Sequence, residues 1–265
     1  MTGFLYNHGA NVTTLHEYST DPTGGRFFMR VEFTTPSLDL SGEALKDAFA
    51  RVLAERYQME WRLSFARHRK RTVILASQQD HALLELLWRH KQGELHADIR
   101  AVISNHTDCE AAVREFGVPF HHVPVARGDK AGGEAQVLAL LGDDTELVVL
   151  ARYMQILSED FVARYPNRII NIHHSFLPAF IGARPYHQAH ERGVKLIGAT
   201  AHYVTPDLDA GPIIEQDVTR VSHKHTAEDL VRLGRSIERD VLARAVTWHL
   251  EDRVLVHGNK TVVFT

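Results

Sequence analysis

The chain has 265 residues and a formal net charge of −3, from 30 Lys and Arg against 33 Asp and Glu. Hydrophobic residues make up 44% and charged residues 24%, which is typical of a soluble folded protein without membrane-spanning segments. The small net charge excludes the concentrated basic surface on which binding to nucleic acids or to anionic membranes depends. We therefore expect small molecules as ligands, with no nucleic-acid or membrane partner.

Cysteine content and the first residues of the chain bear on its location. Cys109 is the single cysteine, so the chain cannot form an internal disulfide. The first residues have neither the basic start nor the apolar core of a secretory signal. Both features favour a cytoplasmic protein.

The signature motifs of several chemistries are missing from the sequence. It contains no GxGxxG, no GxxxxGK[ST] and no GxSxG, which argues against a dinucleotide fold, a phosphate loop and a serine hydrolase. The 18 histidines occur partly in pairs, but there is no HExxH motif and no second cysteine. We therefore expect no metal, although a metal-dependent hydrolase built on His187 and His190 is a remote alternative.

Residues 1–66 are predicted to form a small α+β domain. The end of a helix is followed by a β-hairpin with the turn Asp21-Pro-Thr-Gly-Gly, and then by a helix that Ser41 can cap. Residues 59–66 are predicted to follow as a strand. This order corresponds to a βαββαβ unit without its opening strand, so we expect the natural start upstream. The alternative is a genuine short form whose missing edge is covered by a partner chain.

A longer α/β domain is predicted for residues 72–265. The basic residues 67–71 before it are predicted to be a solvent-exposed linker. Short apolar strands then alternate with helices, which indicates a doubly wound, mainly parallel sheet with ligands at the carboxyl ends of its strands. Thr226 and Asp229 are spaced as a capping box for a long closing helix. Residues 254–264 are predicted to be a last hairpin.

Two polar side chains lie on the same face of a strand predicted at 168–173. Residues two apart in a strand point to the same side, so Asn171 and His173 project together. An amide and an imidazole could bind and protonate an oxyanion, as acyl transfer requires, or could simply cap the strand at the solvent. Asp209 follows in a tight turn, from which its carboxylate could reach an imidazole or a water, and Asp207 is the competing carboxylate.

Several segments together carry a resemblance to a known family. Residues 171–178 read Asn-Ile-His-His-Ser-Phe-Leu-Pro, with Gly182 after them, 202–204 read His-Tyr-Val, and 209–216 read Asp-Ala-Gly-Pro-Ile-Ile-Glu-Gln. This combination resembles the formyltetrahydrofolate-dependent formyltransferase family over roughly residues 70–265. The resemblance implies a formyltransferase fold for this part of the chain.

The same resemblance assigns roles to particular residues. It implies that Asn171, His173 and Asp209 are catalytic, with His202 supporting them. It also identifies residues 151–157 with the loop that receives the pteridine ring of the folate, and an apolar loop at a strand end suits such a ring. The residues expected to line that pocket are Met154, Gln155, Ile156 and Leu157. His174 is expected on the opposite side of the strand from His173, where it would serve packing.

Within the family, the chain is most similar to the members that carry an amino-terminal ACT domain and pass the formyl group to water. This similarity implies hydrolysis of 10-formyltetrahydrofolate to formate and tetrahydrofolate, which supplies formate for purine synthesis and balances the one-carbon pool. The folate is then a substrate and no cofactor is needed. A small-molecule effector at the ACT-like domain and a homo-oligomer are also implied.

The nature of the acceptor depends on the turn after the first strand of the α/β domain. Family members that formylate glycinamide ribonucleotide carry a glycine-rich turn there to hold a phosphate. Here the turn reads Ser77-Gln-Gln-Asp-His, which favours water as the acceptor, and His81 either closes the acceptor space or lies exposed. Two alternatives stay open: transfer to an amine such as glycinamide ribonucleotide, and a folate-sensing protein without catalysis.

Overall fold

Two separately packed units make up the part of the chain that the structure describes. The structure is a computed structural model, and it describes residues 1–35, 40–125, 129–179 and 184–265. The first unit contains Met1–His68 with Phe264–Thr265, and the second contains Arg69–Val263. Gly182, part of the family motif quoted above, lies outside the described residues.

The first unit is a small α+β unit built on one hairpin. Its elements are α1 (Thr2–Asn7), β1 (Asn11–Ser19), β2 (Phe27–Thr34), α2 (Gly42–Phe49), a π-helical segment (Ala50–Ala54) and α3 (Glu55–Tyr57). The two strands pair antiparallel, and the Asp21 carboxylate closes the turn between them by accepting a 2.8 Å hydrogen bond from the Thr23 N–H. Ser41 caps α2 through a hydrogen bond from the Ala44 N–H, as predicted.

The strand predicted over residues 59–66 is wrong, although these residues are all described. Their apolar side chains alternate as in a strand, but they pack on a helix instead of on a sheet. The Trp61 ring lies 4.6 Å from that of Phe49, and the Lys46 ammonium lies 5.5 Å from the Phe65 ring centre. A segment whose apolar side chains rest on a helix in this way keeps a period of two without a strand partner.

The second unit follows the predicted alternation of strands and helices. Its strands are β3 (Lys70–Ala76), β4 (Ala97–Ser104), β5 (Phe120–His122), β6 (Leu147–Ala151), β7 (Ile169–His173), β8 (Leu196–Tyr203), β9 (Ile213–Arg220), β10 (Val254–His257) and β11 (Lys260–Val263). Its helices are α4 (His81–Gln92), α5 (Glu110–Glu115), α6 (Lys130–Leu141), α7 (Glu159–Arg164), α8 (Pro185–Arg192) and α9 (Ala227–Leu250). The predicted capping box of α9 and the predicted last hairpin, β10 with β11, are both formed.

Seven strands form one sheet in the order β5-β4-β3-β6-β7-β8-β9. The ladders from β5 to β7 are parallel, and β8 and β9 add to one edge as antiparallel strands. The predicted doubly wound, mainly parallel sheet is confirmed. Because β3, β4, β6 and β7 all run in one direction, the residues that follow them share one edge of the sheet.

Both faces of this sheet are covered, so side chains of one strand enter two different cores. On β3, Ile74 packs in the core with helices α4 and α9, whereas Val73 and Leu75 pack in the core with α6 and α7. All three are almost fully buried. Strands buried on both faces carry continuous apolar runs, which is why the alternation of apolar runs and helices predicted this fold.

Strand β3 begins at Lys70, inside the segment predicted as an exposed linker. The Lys70 ammonium donates hydrogen bonds to the carbonyls of His249 and Leu250 and lies 2.6 Å from the Asp252 carboxylate. It therefore satisfies carbonyl groups at the end of α9, where a positive charge also complements the helix dipole. The last two residues of the basic run, Lys70 and Arg71, therefore belong to the sheet and not to a linker.

No helix in the described ranges is long and apolar enough to cross a membrane.

Candidate active site

The side chains predicted to be catalytic meet where β7 and β8 lie side by side. Asn171 and His173 are both on β7, at its carboxyl end. His202 is the partner of Asn171 in the antiparallel ladder between β7 and β8, which brings the two side chains to the same place. Asp209 reaches them from the loop that follows β8. The structure therefore brings all four predicted residues together.

Short distances join these four side chains. His173 Nδ1 lies 3.3 Å from Asp209 Oδ1, and His202 Nε2 lies 3.7 Å from the same oxygen. Asn171 Nδ2 is 3.2 Å from His202 Nε2. The carboxylate of Asp209 thus faces two imidazoles, while the amide of Asn171 lies against the second of them.

Hydrogen bonding defines the protonation of His202. Its Nδ1 donates to the backbone carbonyl of Tyr203 at 2.9 Å, so in a neutral ring its Nε2 is an acceptor. Asn171 Nδ2 supplies the hydrogen for that acceptor, which engages one of its two N–H groups. Burial lowers the pKa of His202 and outweighs the hydrogen bond to Tyr203 and the charge of Asp209. His202 is therefore a neutral residue that orients the Asn171 amide.

The turn that carries Asp209 is tightly constrained. Asp209 has a φ of 54°, in the left-handed region that Asp and Asn tolerate better than most residues. A Cβ at Gly211 would lie 1.8 Å from the carbonyl oxygen of Tyr203, so only glycine fits there. The hydrogen bond from His173 lowers the pKa of Asp209 against the opposing effect of burial, which keeps it ionised. Asp207, the competing carboxylate in the sequence, is exposed on the same turn.

The other nitrogen of His173 has no partner. His173 is buried, and its Nε2 has no hydrogen-bond partner among the described residues. Because Asp209 is on the Nδ1 side, Nε2 is directed elsewhere and can serve a bound substrate. A buried polar atom without a partner costs stability, and such atoms in native structures often mark a functional position.

His174 lies on the same side as His173, so the prediction that it faces the other side of the strand is wrong. The two rings stack with their centres 5.3 Å apart and their planes 17° from parallel. The strand ends at His173, so the alternation of faces no longer applies at the next residue. Burial, with the positive charge of Arg152, lowers the pKa of His174 to about 4. The neutral imidazole of His174 therefore stacks against the His173 ring.

The loop predicted to receive the pteridine borders a cavity at the same edge of the sheet. This cavity has a volume of about 340 Å³ and lies at the carboxyl ends of β3, β4 and β6. The residues that line it are Ser77, Gln78, Gln79, Asn105, His106, Arg152, Met154 and Gln155. Met154 and Gln155 are thus at the cavity and Ile156 is exposed, whereas Leu157 is buried in the core with α6 and α7.

A buried polar cluster next to this cavity was not predicted from the sequence. Glu238 on α9 is only 1% exposed and accepts hydrogen bonds from His81 Nε2 at 2.8 Å and from the Tyr186 hydroxyl at 2.7 Å. His81 therefore lies against α9 and is not exposed. The signal was present, because Glu238 lies on the buried face of α9 between Gly234 and Val241. A carboxylate on an apolar helix face requires buried partners.

No group of three or more His, Cys, Asp or Glu side chains suited to a metal ion occurs in the described part of the chain. The pair predicted as a remote alternative, His187 and His190, lies on α8. The clustered side chains of Asn171, His173, His202 and Asp209 supply an amide, two imidazoles and a carboxylate at the end of a parallel strand. These are the groups that stabilise an oxyanion and move a proton in acyl transfer.

Comparison with known proteins identifies the class to which this fold and site belong. Residues 70–246 match the family model described as Formyl transferase. The match begins at β3 and ends within α9, so it includes the whole seven-stranded sheet and the four clustered side chains. The fold is that of an α/β enzyme of the formyl transferase class.

The relatives define the group more narrowly. The chain is 55% identical to formyltetrahydrofolate deformylase of Bacillus subtilis (strain 168), over 100% of this chain and 88% of that protein. It is 53% identical to the protein of the same name from Mycobacterium bovis, over 98% of this chain and 84% of that protein. A crystal structure of a formyltetrahydrofolate deformylase from Pseudomonas syringae pv. tomato superposes with a TM-score of 0.96 at 50% identity, over 100% of this chain and 88% of that one. This chain belongs to the formyl transferase family, in its formyltetrahydrofolate deformylase group.

Proposed function

We propose that this protein hydrolyses 10-formyltetrahydrofolate to formate and tetrahydrofolate, with Asn171, His173 and Asp209 as its catalytic residues. The observation that carries the proposal is the 3.3 Å contact between His173 Nδ1 and Asp209 Oδ1, with His173 Nε2 left without a partner. The names of the relatives supply the substrate and the type of reaction.

In this mechanism a water molecule is the nucleophile. Asp209, held ionised by His173, positions the water and accepts its proton as the water oxygen bonds to the formyl carbon. Protonated His173 and the second N–H of Asn171 stabilise the oxyanion that forms on the formyl oxygen. The intermediate then collapses with cleavage of the bond to N10, which takes the proton from Asp209 directly or through a water. Formate and tetrahydrofolate leave.

The folate is proposed to bind along the loop after β6. Met154 and Gln155 line the cavity and Ile156 is exposed beside them, so these three side chains can contact a flat ring. Leu157 is buried in the core with α6 and α7, where its packing would hold the loop in place. Arg152 and Met154 in this loop, and Asp209 in the active-site turn, have positive φ angles although none is glycine. Such backbone conformations cluster at functional sites.

Hydrolysis is favoured over transfer to an amine by the turn after β3. Side chains of Gln78 and Gln79, with the buried Ser77, occupy the place where a glycine-rich turn would expose its N–H groups to a phosphate. A phosphorylated amine acceptor therefore lacks its usual backbone cradle.

Formate release from 10-formyltetrahydrofolate by the purified protein tests the function directly, with and without glycinamide ribonucleotide. We expect release without any amine, and loss of release in Asp209→Asn. Turnover that requires the amine would make the protein a transferase, and folate binding without any turnover would support the sensing alternative. Activity that persists with chelators would remove the metal-dependent alternative.

Two further expectations concern the first unit and the assembly. We propose that the first unit is an ACT-like regulatory domain, because its α-β-β-α order matches the four central elements of a βαββαβ unit. A small-molecule effector would bind there, and the open edges of its two-stranded sheet favour a homo-oligomer.

The cytoplasmic location and the supply of formate for purine synthesis stay predictions. No cofactor is part of the proposal.

A further inference from the structure

Arg152, the first residue after β6, has a buried guanidinium with unused hydrogen-bond donors. Its side chain is 11% exposed, and both Nε and Nη1 are buried without a hydrogen-bond partner among the described residues. The Glu238 carboxylate is 3.6 Å from Nε, beyond normal hydrogen-bond distance, and already accepts from His81 and Tyr186. Glu238 thus compensates the positive charge of Arg152 but accepts no hydrogen bond from the Nε or Nη1 of Arg152.

A third unpartnered atom, on another residue, belongs to the same cavity. Arg152 and Asn105 both line the cavity at the carboxyl ends of β3, β4 and β6, and Asn105 Oδ1 is buried without a partner among the described residues. Arg152 has a φ of 64°, a left-handed conformation that costs energy for a residue other than glycine. Such a conformation persists only where the surrounding structure enforces it. The cavity therefore combines unused guanidinium donors with an amide oxygen that can accept a hydrogen bond from a water.

The chemistry of the cavity selects the class of ligand. A guanidinium donates charge-assisted hydrogen bonds to carboxylate oxygens, and Arg152 has unused donors on both Nε and Nη1. None of the described residues that line the cavity is acidic, and the nearby Glu238 carboxylate, 3.6 Å from Arg152 Nε, is already hydrogen-bonded to His81 and Tyr186. Asn105 can hold the water that accompanies such an anion. A small carboxylate fits these features, whereas a phosphate would meet one fixed cation and no glycine-rich turn.

The cavity also lies close to the reacting groups. The positive charge of Arg152 acts on His174, whose ring stacks on His173 with 5.3 Å between ring centres. Strands β6 and β7 are neighbours, so Arg152 and His173 follow adjacent strands at one edge of the sheet. An anion released at His173 would find this guanidinium near it.

We propose that Arg152 and Asn105 form a subsite for a small carboxylate, and that the carboxylate is the formate released by the reaction. This identity rests on the proposed function. The guanidinium of Arg152 would give the released formate a place apart from the catalytic groups. The glutamate carboxylates of the folate are the other source of this chemistry, but the burial of the guanidinium favours a one-carbon anion.

Direct binding of formate tests the subsite without any turnover. Titration of the full chain with ¹³C-labelled formate, followed by NMR line broadening, should show saturable binding. Arg152→Met should weaken that binding at least tenfold, because hydrogen bonds to a charged group are lost. Arg152→Lys, which keeps the charge but not the fork, should retain part of it. Arg168→Met is the matched control, since Arg168 precedes β7 at the opposite end of the sheet and should leave binding unchanged.

Product inhibition separates this inference from the proposed function. The inhibition constant for formate in the hydrolysis assay should rise at least tenfold in Arg152→Met, with thermal melts confirming folded protein. Hydrolysis without measurable formate binding by the wild type would overturn the subsite alone. Arg152-dependent formate binding without hydrolysis would overturn the proposed function alone.

The glutamate source is tested with the formyl derivatives of tetrahydrofolate and of tetrahydropteroate, which lacks the glutamate. Formate as the ligand predicts that Arg152→Met changes KM for the two substrates by the same factor. A rise in KM confined to the glutamate-bearing substrate would overturn the assignment to formate.

Discussion

His173 Nδ1 and Asp209 Oδ1 lie 3.3 Å apart, although one residue ends a strand and the other lies in a turn after the next strand. This contact depends on the antiparallel addition of β8 to the parallel sheet. The ladder between β7 and β8 places the turn after β8 back beside the residues of β7. The turn passes so close to the Tyr203 carbonyl that only glycine fits at residue 211, two residues after Asp209. The geometry of the proposed catalytic pair is thus a property of the sheet and of one turn.

Asp209→Asn should abolish formate release, whereas Asp207→Asn should leave it near the wild-type rate. The asparagine tolerates the left-handed backbone of residue 209, so the variant removes the charge with little effect on the turn. Asp207 is exposed on the same turn and serves as the matched control. Single-turnover formate release at saturating substrate measures both. Equal losses in the two variants would indicate a role in the turn and not in the chemistry.

Asn171→Ala should reduce the rate constant for hydrolysis by about 10²–10³-fold, which is typical for loss of one oxyanion donor. His202→Gln should have a smaller effect of the same kind, because His202 acts by orienting the Asn171 amide at 3.2 Å. The measurement is kcat with KM determined separately. A change confined to KM would assign Asn171 to substrate binding instead of oxyanion stabilisation.

Gly211→Ala should impair both folding stability and activity. Its Cβ would lie 1.8 Å from the Tyr203 carbonyl oxygen, so the turn must move, and overpacking of this kind costs about 1–3 kcal/mol. Gly3→Ala is the control, since a Cβ there meets no atom within 4 Å. Urea unfolding gives the stability and formate release gives the activity. An active Gly211→Ala variant of wild-type stability would show that the turn is not constrained as described.

Periodicity and motif spacing predicted most of the second unit, and the reasons for the failures are physical. Strands such as β3 are apolar on both faces, because both faces of the sheet are covered. Few other structures require such a continuous apolar run, so the run predicts a buried strand. Residues 59–66 have the same alternation as a strand, but periodicity cannot show that Trp61 packs on α2 and not on a sheet. The segment therefore looked like a strand without being one.

At the site, too, features set by neighbouring residues could be predicted from the sequence, whereas contacts between distant elements could not. Asn171 and His173 were found because they share one face of one strand, a local property. The partners of Glu238 come from α4 and α8, which are far apart in the sequence, so only the packed structure reveals His81 and Tyr186 beside it. The stacking of His174 on His173 was missed because the strand ends between them.

Glu238→Ala should strongly destabilise the protein. Glu238 is 1% exposed, and its loss would leave the charge of Arg152 uncompensated and the Tyr186 hydroxyl without its acceptor. Removing one partner of a buried charge pair costs about 3–5 kcal/mol. Glu110→Ala breaks a surface pair with Arg114 and should cost less than about 1 kcal/mol. Denaturant unfolding of both variants makes the comparison, and similar losses would contradict the buried role of Glu238.

The buried state of His174 predicts a loss of stability in mild acid. Burial, with the charge of Arg152, lowers its pKa to about 4, whereas the unfolded chain binds the proton near its ordinary pKa of about 6.5. Between these values the unfolded state holds more protons, so the free energy of unfolding decreases as the pH falls. Each unit of pKa difference corresponds to about 1.4 kcal/mol, which gives a loss of about 3 kcal/mol from His174.

Replacement of His174 tests this acid sensitivity. His174→Gln should flatten the dependence of unfolding free energy on pH between about 6.5 and 4, because glutamine does not titrate. Part of the slope should stay, since burial lowers the pKa of His202 in the same direction. His223→Gln, a change at an exposed position, should keep the wild-type slope. Urea unfolding across this pH range provides the measurement. If His174→Gln keeps the full wild-type slope, the acid sensitivity arises elsewhere and the ring behind His173 is not held neutral by burial.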